Sequence, residues 1–218
     1  MIKWSFSSLK KFVTCPRQYY EVRVAGNYKE PEIPQATYGK EVHKALEDYI
    51  NSNTPLPSNY KRFQKYADVI KQIPGTRYTE LKMALDIDGN SCDFESENYW
   101  VRGIGDLVIV DHEEAYYIDY KTGKDRYADK KQLKLMSAMI FRIFPKVRSV
   151  KSALLFLSNG NFMPEEFTRS QEEELWMTFH GDLVRLRHSI STNYWPENPS
   201  GLCRRHCVVV DCPHHGRD

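Results

Sequence analysis

Two short runs decide how this 218-residue sequence folds: Gly103-Ile104-Gly105-Asp106-Leu107-Val108-Ile109-Val110, and Tyr117-Ile118-Asp119-Tyr120-Lys121-Thr122-Gly123. Their β-branched and aromatic content predicts strands over Tyr99 to Val110 and Ala115 to Tyr120, separated by the polar turn Asp111 to Glu114. Each strand then carries a carboxylate amid apolar residues, where an unpaired charge is costly. Two carboxylates brought close repel unless a divalent cation sits between them. Lys121 lies two residues after Asp119, so both side chains project from one face of the strand. A cation held by Asp106 and Asp119 would polarise a phosphodiester oxygen and acidify a water. Lys121 would orient that water or offset the charge developing on the phosphate. The competing reading is a set of strand-end charges with Lys121 neutralising Asp119, and D-x-K is too short a pattern to separate the two.

Working outward, Tyr78 to Ile87 reads as a preceding strand closed by the turn Asp88-Gly89-Asn90. Helices are predicted over Ser5 to Val13, Tyr38 to Ile50, Tyr60 to Ile73 and Lys130 to Phe144. Val150 to Leu157 and Asn161 to Phe167 form a strand pair around Asn159-Gly160. A last helix is expected to start at Ser170, capped with Glu173, and to bury Trp176, Phe179, Leu183, Leu186 and Ile190. The order predicts an α/β fold with a central mixed sheet flanked by helices.

Hydrophobic residues make up 41% and charged residues 28% of the chain, which suits a globular protein, and the apolar stretches are too short and interrupted for a membrane span of about 20 residues. The opening residues lack the apolar core of a signal peptide, so an intracellular protein with reduced thiols is expected. The net charge of +2 is a cancellation. Glu80 to Asp119 holds eleven acidic residues against two basic ones, and Lys121 to Lys151 holds ten basic against two acidic. The sign changes where the proposed cation site would meet a phosphate; two solvated faces are the plainer reading of charge alone.

Asp106 followed by Asp119-Tyr120-Lys121 resembles the PD-(D/E)XK nuclease signature, and GIGDLVIV with YIDYKTG resembles its RecB-like exonuclease branch. Gly39-Lys40-Glu41-Val42-His43 matches the helical G-x-x-x-H of that branch. The resemblance implies a restriction-endonuclease-like core in which His43, Asp106, Asp119 and the Tyr120 carbonyl ligate Mn²⁺ or Mg²⁺. Imidazole beside carboxylates suits Mn²⁺ better than Mg²⁺. Glu80 matches a further acidic position, its alternative being an exposed strand carboxylate. Gln132 stands where the family has a glutamine touching substrate or water, although the tyrosine usual one turn later is Met136.

Cys203, Cys207 and Cys212 give C-x3-C-x4-C in a tail with little core of its own, a spacing suited to a metal or cluster. Cys15, Cys92 or a histidine would complete the set. The opening run from Trp4 to Tyr20 is similar to RecB-like nucleases that carry an iron–sulfur cluster, including CRISPR-associated exonucleases and the AddB nuclease domain. That likeness implies that Cys15, Cys203, Cys207 and Cys212 hold a 4Fe-4S cluster, with structural Zn²⁺ and free thiols as rivals. One nuclease domain over 1–218 is expected, with cluster-binding termini at 1–35 and 193–218 around a core at 36–192.

The expected function is metal-dependent exonuclease cleavage of DNA at single-stranded ends. Arg17, Lys124, Arg126, Lys130 and Lys131 are candidate backbone contacts, and Tyr20 a candidate stacking residue. An endonuclease, or a CRISPR-type spacer-processing nuclease, would use the same centre. A catalytically silent DNA-end-binding subunit is the alternative of another class. The sequence has no helicase motif, so helicase, recombination or CRISPR proteins are the partners to expect for unwinding.

Overall fold

The computed structural model describes residues 2–217. In chain order it contains α1 (Phe6–Thr14), α2 (Pro16–Tyr19), α3 (Pro34–Ser52), α4 (Gln64–Ile70), β1 (Thr76–Leu85), β2 (Val101–Asp111), β3 (Glu114–Lys121), α5 (Lys131–Ile143), β4 (Ser149–Phe156), β5 (Asn161–Thr168), α6 (Glu172–Thr192) and α7 (Leu202–Arg205). These elements fall into two units: Ile33–Thr178, and Ile2–Glu32 with the chain from Phe179 onward.

The first unit is built on a five-stranded sheet in the order β1-β2-β3-β4-β5. Only the β3–β4 pair is parallel, and α5 makes the crossover between these two strands. The other neighbours are antiparallel. The sheet is therefore mixed and carries helices, as the sequence predicts. One face buries Leu107, Ile109, Ile118, Tyr120 and Leu155 with Val42, Leu46 and Ile50 of α3 and Phe63, Ala67 and Ile70 near and on α4. Helix α5 packs against β1, β3 and β4, burying Leu133, Met136, Met139 and Ile140. Pro34 opens α3, where its missing N–H would have had no helical partner.

In the second unit, Ser5 caps α1 in a reciprocal hydrogen-bond pair with Ser8. Trp4 packs against Phe179 with ring centroids 5.5 Å apart, and Trp195 lies beside Tyr19 and Tyr20. Among the described residues no helix is long and apolar enough to cross a membrane.

Two expectations about α6 are corrected. The capping box is Thr168 with Gln171, leading through a 3₁₀ turn, so the helix does not start from Ser170 and Glu173. The same S/T-x-x-E/Q pattern occurs twice within six residues, and only the earlier copy coincides with the end of β5. Its stripe also drifts. Phe179 and Leu186 are buried, whereas Ile190 is 48% exposed and Ser189 takes the inward place, because seven-residue steps lag behind a helix of 3.6 residues per turn.

Candidate active site

The site is built where β1, β2, β3, α3 and α5 converge. On β2 and β1, Asp106 stands opposite Glu80, between the pairs Leu107↔Thr79 and Leu81↔Gly105. Glu80 has a φ of 47°, a left-handed conformation that is unfavourable for a residue with a Cβ and concentrates at functional sites. The strand changes face here. A methyl at Gly103 or Gly105 would meet Met136 of α5, while Leu107 and Ile109 join the opposite core.

Helix α3 brings His43 in from that opposite side. One turn earlier, a methyl at Gly39 would come within 3.3 Å of Thr122 Oγ1. A glycine there lets α3 pass close to the chain just after Lys121, which is what G-x-x-x-H achieves physically. His43 Nε2 lies 2.9 Å from the Tyr120 carbonyl oxygen, and His43 Nδ1 lies 3.5 Å from Asp106 Oδ1. The Tyr120 N–H donates to Asp106 Oδ2 at 2.7 Å.

His43, Glu80 and Asp106 each offer a ligand atom within 4.8 Å of the others. One imidazole and two carboxylates, all part-exposed, are a donor set that suits a divalent cation such as Mn²⁺. Burial and the nearby Asp106 raise the Glu80 carboxyl above its ordinary range. Burial works against a charged His43, but Asp106, Asp119 and Glu80 together outweigh it and the imidazole pKa is raised. The like charge of Asp106 disfavours an ionised Glu80, and its opposite charge favours a protonated His43.

Asp119 adjoins that triplet, close enough for Asp106 to act on its carboxyl, and has hydrogen bonds of its own. It is 2% exposed. Its Oδ1 accepts from Tyr117 Oη at 3.1 Å and from Gln132 Nε2 at 2.5 Å. Its Oδ2 lies 2.7 Å from Lys121 Nζ without an aligned hydrogen bond. Lys121 Nζ donates to Gln132 Oε1 at 2.9 Å. The Gln132 amide thus spans the lysine and the aspartate, and only one orientation of its oxygen and nitrogen satisfies both. Burial first, then Asp106, push the Asp119 carboxyl up to about 6 despite the adjacent lysine. Tyr117 is the member that sequence reasoning missed. Its signal was a hydroxyl in an otherwise apolar strand, two residues before Asp119 and on the same face.

The remaining candidates are placed as follows. Cys15, Cys203, Cys207 and Cys212 line one cavity in the second unit, together with Arg17 and His214. Among the described residues, no three of these sulfurs come within 4.8 Å of one another. Arg17 Nη1 is 2.5 Å from Glu197 Oε1, and the Tyr20 ring is 5.2 Å from that of Trp195. Lys130 is paired with Glu165 at 2.6 Å. Lys124, Arg126 and Lys131 are exposed, with the Arg126 guanidinium 4.7 Å from the centre of the Tyr127 ring.

A family model described as the PD-(D/E)XK nuclease superfamily matches residues 3–213. The crystal structure of a "Putative exonuclease" from Eubacterium rectale aligns with a TM-score of 0.55 and 14% identity, covering 99% of this chain and 88% of that one. The crystal structure of SSO0001 aligns with a TM-score of 0.48 and 17% identity, covering 98% and 87%. No curated protein matches.

Proposed function

The chain belongs to the PD-(D/E)XK nuclease superfamily, and from that premise we propose that it is a divalent-metal-dependent DNA exonuclease of the RecB-like branch, acting at single-stranded ends. The observation that carries the proposal is the convergence of His43, Glu80 and Asp106 next to the Asp119–Lys121 pair.

In this reading His43, Glu80, Asp106, Asp119 and the Tyr120 carbonyl hold Mn²⁺ or Mg²⁺. When bound, the ion polarises a phosphodiester oxygen and lowers the pKa of a water. Lys121, fixed by Gln132, supplies a positive charge where negative charge develops on the phosphate. Gln132 keeps that ammonium in register with Asp119. Lys124, Arg126 and Lys131, exposed just downstream of Lys121, lead the DNA backbone away from the centre.

We assign Cys15, Cys203, Cys207 and Cys212 as thiolate ligands of a structural 4Fe-4S cluster joining the two ends of a single nuclease domain. Their shared cavity supports this.

End-labelled linear single- and double-stranded DNA and a closed circle, each incubated with Mn²⁺ or Mg²⁺, test the activity. An exonuclease shortens the linear strands and leaves the circle intact. Cleavage of the circle would make it an endonuclease, and no cleavage of any substrate would make it a binding subunit.

A further inference from the structure

A tyrosine hydroxyl enclosed between a sheet and a helix is costly there unless it has a partner, and phenylalanine would fill the same space without that demand. Tyr117 is fully buried. A methyl at Gly105 would come within 3.5 Å of both Tyr117 Cε2 and Met136 Cε, and within 3.1 Å of Val108 Cγ2. The tight neighbour of such a methyl is thus Val108, and the Tyr117 ring packs at ordinary contact distance from it. The ring points its hydroxyl along the strand to Asp119 Oδ1.

A carboxylate oxygen offers two lone-pair directions. On Oδ1 both are taken, one by Tyr117 Oη at 3.1 Å and one by Gln132 Nε2 at 2.5 Å. Oδ2 carries only the Lys121 contact at 2.7 Å and no aligned hydrogen bond. The two donors thus fix which oxygen of Asp119 remains available and hold the carboxylate plane against rotation. Gln132 is also tied to Lys121, whereas the Tyr117 hydroxyl donates to Asp119 and lies close to the Gln132 amide.

We propose that Tyr117 is a positioning residue of the metal centre: by occupying Asp119 Oδ1 it presents Oδ2 to the cation and so sets the affinity of the site for divalent metal. The inference rests on the metal-dependent reading above and adds to it a residue that touches neither ion nor substrate. Partners that hydrogen-bond a ligating carboxylate commonly change metal affinity 10- to 100-fold when removed.

Mn²⁺ binding to the full chain, measured by titration calorimetry alongside a thermal melt, tests this. Tyr117→Phe keeps the ring against Gly105 and Met136 and removes one oxygen. The expected result is a folded protein whose Mn²⁺ dissociation constant rises about 10-fold or more, with the Mn²⁺ concentration for half-maximal DNA cleavage rising in parallel. Asp106→Asn identifies the binding signal as coming from this site. An unchanged dissociation constant in Tyr117→Phe, with wild-type binding intact, overturns the role of Tyr117 and leaves the nuclease reading standing. Absence of Mn²⁺ binding in the wild type overturns both. Tyr117→Met, which fills the space with an unbranched apolar chain, is the second variant. Failure of both variants to fold would make Tyr117 a core residue only and overturn the proposal.

Discussion

His43 Nε2 lies 2.9 Å from the backbone carbonyl oxygen of Tyr120. An ion with metal–ligand bonds of about 2.1 Å places neighbouring ligand atoms roughly 3 Å apart. The proton between this nitrogen and oxygen therefore occupies the gap that a cation ligated by both would fill, and the two compete.

Mn²⁺ binding is accordingly expected to release protons, and affinity to fall as the pH drops through the raised His43 pKa. Calorimetric titrations in buffers of different ionisation enthalpy count the protons. His43→Ala should weaken binding by about 10-fold or more and reduce the proton release. Equal release in the variant would place the proton elsewhere.

Without metal, Asp119 makes stability depend on pH in an unusual direction. Its carboxyl is raised from 3.8 to about 6 by burial and by Asp106, so the native state binds the proton more tightly than the unfolded chain. The stabilisation is complete below about pH 4 and is lost as the pH rises through about 6. Thermal midpoints in EDTA across that window should show Asp119→Asn with a flatter profile than the wild type. Identical profiles would mean that Asp119 binds its proton equally well in the folded and unfolded chain.

Gln132 tests the bridge between lysine and aspartate. Gln132→Glu replaces the amide donor 2.5 Å from Asp119 Oδ1 with an acceptor, setting two carboxylates against each other. Cleavage should drop by about 100-fold while the fold persists. Activity near the wild-type level would remove Gln132 from the site.

Arg169 offers a stability test away from the chemistry. Its guanidinium donates to the carbonyl oxygens of Phe141, Phe144 and Val147, where α5 ends and the chain turns into β4. Arg169→Ala leaves these acceptors without their donor and should cost about 2–4 kcal/mol in urea denaturation. The specific activity of the folded fraction should not change.

For the cysteines, anaerobically purified protein should be brown and contain about four irons per chain, and Cys15→Ser should lose the iron and lower the thermal midpoint. A colourless, zinc-loaded protein would contradict the cluster.

Much of this architecture was legible because two strands and a lysine constrain each other. Alternation along β3 fixes Asp119 and Lys121 on one face, and the turn 111–114 fixes β2 beside β3, so a mixed sheet could be expected, while its strand order came from the structure. Gln132 was singled out through the family resemblance alone, and the structure places its amide between Lys121 and Asp119. Three features were not legible. The left-handed backbone at Glu80 depends on the pairing of β1 with β2, which no local pattern encodes. The bond from Tyr117 to Asp119 looked like one more aromatic in a buried strand. The start of α6 was ambiguous because two capping patterns overlap, and tertiary packing chose between them. Of the charged residues marked for DNA, Arg17 and Lys130 face carboxylates, a pairing between positions far apart in sequence that charge counting does not reveal.

The central claim is that Asp106, Asp119 and Lys121 form a metal-dependent hydrolytic centre. The most direct measurement is the Mn²⁺-dependent release of nucleotides from end-labelled linear single-stranded DNA by the wild type and by Lys121→Ala, purified in parallel. The account predicts release that EDTA abolishes and that Lys121→Ala lowers by about 100-fold or more with the fold intact. Release by Lys121→Ala at the wild-type rate would contradict it.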